Sequence, residues 1–156
     1  YMKHMPHHMV GGFPMDWAKD CVNIHLIRHP AQVIASYTAK REAPTFEDIG
    51  FGQQTTLYDK IGGLVIDSAD IRADPEGMLC KLCEAIDLPF DPEMLSWPAG
   101  ARPEDGIWAS HWYGAVHKST GFAGAEGPLP KLSEADQPLL GQALPYYKIL
   151  YNQRII

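Results

Sequence analysis

The residues best suited to binding an anion lie where an apolar segment leads into Arg28, His29 and Pro30. Pro30 suits the first position of a helix, and the backbone amides of a first helical turn lack internal partners. Those amides and the helix dipole attract anions, and Arg28 adds a permanent positive charge. Ser36 follows two turns later, and helical side chains lean toward the N-terminus. The pattern therefore predicts an anion site formed by Arg28 and Ser36.

A second group of reactive side chains stands near the start of the chain and consists of Lys3, His4, His7 and His8. An imidazole has a pKa near neutrality, so it can remove a proton from an attacking hydroxyl. A lysine can stabilise negative charge on a departing phosphate. The cluster is therefore a candidate for general-base catalysis, and the alternative interpretation is that the histidines only line a loop.

Metal binding is the other interpretation of these histidines, with a further zinc ligand from His111 or His117. No acid or cysteine lies beside the histidines at ligand spacing, so we expect no metal. Cys80 and Cys83 form a CxxC pair without a second pair, within an apolar helical stripe where a thiol behaves as a small hydrophobe. His25 lies inside an apolar segment and is expected to be a packed or capped core histidine.

The first pattern, Arg-x-Pro with a serine eight residues after the arginine, resembles the 3'-phosphate-binding motif of the PAPS-dependent sulfotransferases. The resemblance implies that Arg28 and Ser36 hold the 3'-phosphate of the donor, 3'-phosphoadenosine 5'-phosphosulfate (PAPS). It also implies that Lys3 stabilises the leaving phosphate, and that His7 or His8 is the base. The family needs no metal.

The segment from His117 to Phe122 combines a cation, hydroxyl groups and a glycine, a composition suited to wrapping a phosphate. It resembles the late basic loop of the sulfotransferases, which implies that Lys118 and Ser119 close over the 3'-phosphate. The tryptophan-containing segments 97–100 and 106–108 resemble a bacterial sulfotransferase-like branch in which this region covers the acceptor pocket.

The chain departs from the family at one important point, because no glycine-rich phosphate loop follows a strand near its start. We therefore expect an N-terminally truncated enzyme that binds the 3'-phosphate weakly and catalyses little. Two alternatives stay open. A small-molecule kinase would use the missing loop with magnesium held near Asp67, although a structural role for Asp67 is also expected. A non-catalytic nucleotide-binding module would bind its ligand whether or not His7 and His8 are present.

Composition limits the possible partners. A length of 156 residues with 46% hydrophobic content fits a single domain over residues 1–156. With 13 basic and 19 acidic side chains the net charge is −6, which argues against nonspecific binding of nucleic acid or anionic lipid. No apolar run has the length of a membrane span, no signal peptide is visible, and three cysteines argue against a disulfide scaffold. A cytoplasmic protein is expected.

Strand and helix signals alternate along the chain, which predicts a three-layer α/β fold of the P-loop nucleoside triphosphate hydrolase type, with helices on a parallel sheet. The carboxyl ends of such strands form one binding crevice, which would bring Arg28 and Asp67 together with residues 3–8. Strands are predicted within residues 1–5, 22–27 and 64–67, and helices over residues 15–19, 30–41, 45–61, 74–87, 91–95 and 133–152, the last kinked near Pro138 and Pro145. Residues 96–130 are predicted to be irregular.

Together these signals predict sulfuryl transfer from PAPS to a hydroxyl or amine of a small-molecule acceptor. The identity of the acceptor and the oligomeric state stay open.

Overall fold

A computed structural model describes residues 2–9, 11–39, 43–107 and 109–156, with only the backbone at Trp112. The chain divides into two compact units, one comprising Tyr1–Ser68 with Gly127–Ile156 and the other Ala69–Glu126. The single domain expected over residues 1–156 stays a prediction. In the part of the chain that is described, no helix combines the length and the apolar character needed to cross a membrane.

Two parallel strands form the sheet of the first unit, β1 (Ile24–Ile27) and β2 (Leu64–Asp67), with Ile27 opposite Asp67. The tail of the chain extends the sheet, because the amide of Ile155 donates to the carbonyl of Val65 at 2.9 Å. Parallel pairing agrees with the predicted fold class. The architecture is mixed α/β with a small parallel sheet, and the predicted third layer and P-loop type stay predictions.

The prediction of a strand within residues 1–5 is wrong for the described residues. Met2–Met5 belong to no strand and precede a short 3₁₀-helix at Pro6–His8. The polar run Lys3-His4 lacks the alternating apolar side chains that pair a strand to a buried sheet. Tyr1 lies outside the described residues. The helices, in chain order, are α1 (Pro30–Thr38), α2 (Phe46–Ile49), α3 (Phe51–Ile61), α4 (Ser68–Ala73), α5 (Pro75–Ala85), α6 (Ala109–Trp112) and α7 (Gln137–Tyr151), with further 3₁₀-helices at Asp16–Asp20, Pro92–Leu95 and Glu134–Asp136.

Most predicted helices form, with corrected limits. The helix expected to reach Arg41 is described as far as Thr38, and Arg41 lies outside the described residues. The helix expected over residues 45–61 is broken at Gly50, whose φ of 71° is a left-handed conformation that glycine adopts without strain. Pro138 stands in the first turn of α7 instead of interrupting it, whereas Pro145 lies inside that helix.

The core of the first unit lies between one face of the sheet and helices α3 and α7. Its buried side chains are Ile27, Phe51, Val65, Ala143, Tyr147 and Leu150. The opposite face of β1 is apolar but open, with Leu26 58% exposed and Ile24 40% exposed. Packing against α3 and α7 therefore fixes the position of the sheet and of its strand ends.

The second unit contains α5, which begins as predicted: the carboxylate of Asp74 accepts a hydrogen bond from the amide of Gly77 at 3.0 Å. Residues 96–121 form a loop whose ends meet in an antiparallel bridge between Ser96 and Gly121. The long irregular segment predicted here is confirmed, apart from the single turn of α6.

Candidate functional site at the strand ends

Arg28 directly follows the last paired residue of β1 and is half-buried. Its Nε donates to Oε1 of Gln32 at 3.0 Å, one turn into α1, which orients the guanidinium plane. Ser36 is exposed on the same helix, about 9 Å along the axis from Pro30 at the usual rise per residue. Arg28 and Ser36 thus lie on one continuous segment that runs from β1 into α1, as predicted.

The backbone amides at the start of α1 were predicted to be free to bind an anion, but they are already hydrogen-bonded within the turn. His29 caps the helix, since its Nδ1 accepts from the amide of Ala31 at 3.2 Å. The carbonyl of His29 accepts from the amides of Gln32 and Val33 at 3.0 and 3.2 Å. Pro30 has no amide hydrogen, so the expectation of unpartnered first-turn amides is wrong. An anion at this turn would depend on side-chain donors.

A buried hydrogen bond supports the turn from the neighbouring strand. Asp67, at the end of β2, is 1% exposed and accepts from the hydroxyl of Tyr147 at 2.7 Å. The ring of Tyr147 also contacts the ring of His29 edge-on, at 5.3 Å between centroids. One side chain of α7 therefore contacts both the end of β2 and the cap of α1. The structural role expected for Asp67 is confirmed.

Burial, together with the hydrogen bond to Asp67, raises the pKa of Tyr147 above its ordinary value. The phenol therefore stays protonated, and it donates to the carboxylate. The kinase alternative would assign that carboxylate to a metal ion, but one of its oxygens is already engaged by Tyr147. Among the described residues, no three histidine, cysteine, aspartate or glutamate side chains cluster as metal ligands.

Helix α3 connects the histidine cluster with the end of β1. A Cβ atom added at Gly50 would lie 3.6 Å from the backbone nitrogen of His7. One turn later, Nε2 of Gln54 donates to the carbonyl of Leu26 at 2.9 Å, two residues before Arg28. Four residues of helix span about 6 Å, so one helical turn separates these two contacts. Residues 50–54 therefore contact both His7 and the end of β1.

The two candidate bases differ in environment. His7 is half-buried and His8 is exposed, and their rings meet edge-on at 4.3 Å between centroids. Burial lowers the pKa of His7, the charge of His8 lowers it further, and Asp48 partly opposes both. A lowered pKa keeps His7 neutral near pH 7, which is the state of a base. Lys3 lies in the exposed segment before the 3₁₀-helix.

The predicted phosphate-covering residues lie in the loop of the second unit. Lys118 is exposed. The hydroxyl of Ser119 accepts from Nε1 of Trp97 at 2.9 Å and donates to the carbonyl of Val116 at 2.7 Å. The role of Lys118 and Ser119 in covering a phosphate stays a prediction.

His117, a candidate zinc ligand, instead pairs with Asp105 at 2.8 Å between Nε2 and Oδ2. That carboxylate also accepts from the amide of Arg102 at 2.9 Å. The hydrogen bond from the Arg102 amide and the hydrogen bond with His117 lower the pKa of Asp105. The pair thus stabilises one end of the loop. His25, by contrast, is capped as expected, with Nε2 at 2.9 Å from the carbonyl of Gly62.

Sequence reasoning missed two contributors to this region, Tyr147 and Ser68. Tyr147 shares the apolar spacing of Ala143 and Leu150, which marks a buried face of α7 but does not reveal the hydrogen bond. Ser68 follows Asp67, and its place directly after a buried strand was the available signal.

Comparison with known proteins bears on this geometry. Residues 1–154 match the model of a family described as Sulfotransferase domain. The chain is also similar to branched-chain-amino-acid aminotransferase-like proteins 1 and 2 of Arabidopsis thaliana, with 34% and 33% identity over 155 residues. Each alignment covers 96% of the chain but only 28% of the relative. No solved structure matches the chain significantly.

Proposed function

The chain belongs to the sulfotransferase-domain family, and we propose that it acts in sulfuryl transfer from PAPS to a hydroxyl or amine of a small-molecule acceptor. The observation that carries the proposal is the strand-end turn, where Gln32 orients Arg28 beside the buried Asp67–Tyr147 bond. A guanidinium supplies a planar fork of donors matched to phosphate oxygens. A turn held rigidly from two sides keeps that fork in position before the ligand arrives.

In the proposed donor complex, Arg28 and Ser36 hold the 3'-phosphate of PAPS. Lys118 and Ser119 lie in the loop of the second unit, and their part in binding phosphate stays a prediction. The exposed ammonium of Lys118 can move toward an anion, whereas Ser119 can donate only after releasing the carbonyl of Val116. Lys118 is therefore the stronger candidate of the two.

In the proposed transfer, His7 removes the proton from the acceptor while the acceptor oxygen or nitrogen attacks sulfur. The bond between sulfur and the bridging phosphate oxygen breaks, and adenosine 3',5'-bisphosphate departs with the electron pair. Lys3 stabilises the negative charge that develops on the leaving phosphate. We assign the base to His7 instead of His8 because burial and the neighbouring charge lower the pKa of His7.

Proton NMR titration of the ring Cε1 protons tests the choice of base. His7 should titrate below the ordinary histidine value of 6.5. Replacing His8 with asparagine removes a positive neighbour, so the pKa of His7 should rise toward that value. A His7 resonance that titrates at or above the ordinary value, or that ignores His8→Asn, would contradict the assignment.

A groove in the first unit is the proposed acceptor site. It has a volume of about 410 Å³, within the range of small-molecule sites. Met9, two residues after His7 in the sequence, is one of its lining residues. The rings of Phe46 and Tyr146 meet there at 5.3 Å between centroids. Leu57 adds apolar surface, and Glu47 and Lys60 supply charges. This lining favours an apolar or aromatic acceptor that carries a hydroxyl or amine.

Filling the groove tests this placement. Thr56 is exposed and lines the groove, whereas Asp59 is exposed on the same helix and does not line it. Thr56→Trp should weaken binding of 2-naphthol, followed by its fluorescence, by about tenfold or more, the equivalent of about 1.4 kcal/mol. Asp59→Trp is the matched control and should leave binding unchanged. Equal effects of the two substitutions would remove the groove from the proposal.

Calorimetric titration without metal tests the donor site, using adenosine 3',5'-bisphosphate and, as a control ligand, adenosine 5'-phosphate. Charged hydrogen bonds contribute about 1.5–3 kcal/mol, so Arg28→Ala should lose about 10- to 100-fold in affinity for the bisphosphate. Lys131→Ala removes an exposed charge elsewhere in the first unit and should have no effect. If the native chain binds both nucleotides equally, the sulfotransferase proposal fails and the kinase and binding-module alternatives gain.

A further inference from the structure

The turn at Arg28 needs additional donors to hold an anion. The amides of Ala31, Gln32 and Val33 are all satisfied by His29, and Pro30 has none. A phosphate presents several acceptor oxygens, and one guanidinium cannot satisfy all of them. Further contacts can come from side chains, either Ser36 on α1 or residues near the ends of the two strands.

Ser68, the first residue of α4, and Arg28 directly follow the two strands of the sheet. Ile27 and Asp67 are the last paired residues of β1 and β2, so Arg28 and Ser68 are the residues that follow them on neighbouring strands. Adjacent strands in a sheet lie about 4.8 Å apart. Both residues therefore stand at the carboxyl edge, where parallel sheets bind their ligands.

The hydroxyl of Ser68 is an exception among the buried polar groups. Its Oγ is inaccessible to solvent and has no hydrogen-bond partner among the described residues. Buried polar groups are nearly always paired, so an unpaired one requires an explanation. The residue as a whole is only half-buried. Rotation about χ1 into another staggered position can carry the hydroxyl toward the open side.

We infer that the Ser68 hydroxyl is a further side-chain donor, in addition to Arg28 and Ser36, to the phosphate group bound at the strand ends. The inference rests on the proposed function for the identity of the natural ligand, a phosphorylated nucleotide. Without ligand the hydroxyl has no partner among the residues that the structure describes, and in the complex it donates to a phosphate oxygen. Ser68 is thus a binding residue, and its unpaired hydroxyl raises the free energy of the protein without ligand relative to the complex.

The test compares binding and stability in the same variants. Ser68→Ala should lose about 10-fold or more in affinity for adenosine 3',5'-bisphosphate, because the lost hydrogen bond is to a charged phosphate oxygen. Its melting temperature should stay equal or rise, because the substitution removes a buried unpaired group. Ser68→Thr keeps a hydroxyl and should retain most of the affinity. Thr55→Val, which removes a buried hydroxyl that bonds the carbonyl of Phe51 on α3, is the control and should leave affinity unchanged.

Unchanged affinity in Ser68→Ala overturns the inference, and so does an affinity loss that accompanies a lower melting temperature. Inorganic phosphate, followed by NMR shifts of the residue 27–33 amides, separates this failure from failure of the proposed function. If phosphate binds through Arg28 and Ser68 without any preference for the bisphosphate, the inference stands and the sulfotransferase proposal falls. If the bisphosphate is preferred but Ser68→Ala binds it normally, only the inference falls. A chain that binds none of these anions overturns both.

Discussion

The turn at Arg28 in the first unit and the loop of residues 96–121 in the second unit are stabilised in different ways. The turn depends on contacts between parts of the chain far apart in sequence, above all the buried bond from Tyr147 to Asp67. The loop depends on bonds within itself, such as Trp97 to Ser119 and Asp105 to His117. Its ionisable pair is partly accessible to water.

This difference assigns different tasks to the two regions. A site fixed by buried long-range contacts is already arranged when the ligand arrives, so less binding free energy goes into ordering it. A loop held by accessible local bonds can rearrange around a ligand more easily. The turn therefore suits recognition of a phosphate by a preformed arrangement, whereas the loop suits rearrangement around a ligand.

Removing the hydroxyl of Tyr147 should produce the largest effect. Tyr147→Phe leaves a buried carboxylate without this donor, and hydrogen bonds to charged groups contribute about 1.5–3 kcal/mol. We expect the free energy of unfolding in urea to fall by about 2 kcal/mol. Tyr146→Phe, at the exposed neighbouring position, is the control and should change stability by less than about 0.5 kcal/mol. Equal effects of the two substitutions would contradict the buried support of the turn.

Removing the hydroxyl of Ser119 should have a smaller and local effect. Ser119→Ala leaves Nε1 of Trp97 without its acceptor, but water can reach this loop, so a loss of about 1 kcal/mol is expected. Amide hydrogen exchange at Trp97 and Ser119 should accelerate by about fivefold. Ser110→Ala in the same unit is the comparison, since its hydroxyl makes only a longer bond to the carbonyl of Ile107 at 3.3 Å. A change in Ser110→Ala as large as in Ser119→Ala would remove the special role of Ser119.

The smallest effects should appear as opposite responses to pH. The pKa of Asp105 is lowered, so its contribution is present above the ordinary value of 3.8 and is lost as the pH falls below it. The pKa of Tyr147 is raised, so its contribution is present below the ordinary value of 10.0 and is lost as the pH rises further. The loop should therefore weaken in acid and the turn in base.

Amide shifts measured across both pH ranges test this prediction. The Arg102 amide should follow a transition below pH 3.8 that disappears in Asp105→Asn. Above pH 10.0 the native chain should lose stability with rising pH more steeply than Tyr147→Phe. An Arg102 transition at or above the ordinary carboxyl value would show that the loop bonds do not favour the charged form of Asp105.

Local signals in the sequence predicted the elements of the turn correctly. Short apolar runs identified β1 and β2, Pro30 identified the start of α1, and Asp74 identified the cap of α5. These predictions depend on neighbours within a few residues, which is why the sequence sufficed. The break at Gly50 was missed because glycine is also tolerated inside helices, and only the path of the chain requires its left-handed conformation.

The sequence by itself determined the family resemblance through Arg28 and Ser36, the parallel strand pairing, and the exclusion of a strongly basic surface. The tertiary structure decided that His29 satisfies the first-turn amides of α1 and that Tyr147 joins Asp67 across the unit. It also placed His7, but not His8, in a half-buried position beside α3. Burial and hydrogen bonding depend on which distant residues meet in space. Local patterns cannot encode those meetings, because they arise only when the whole chain packs.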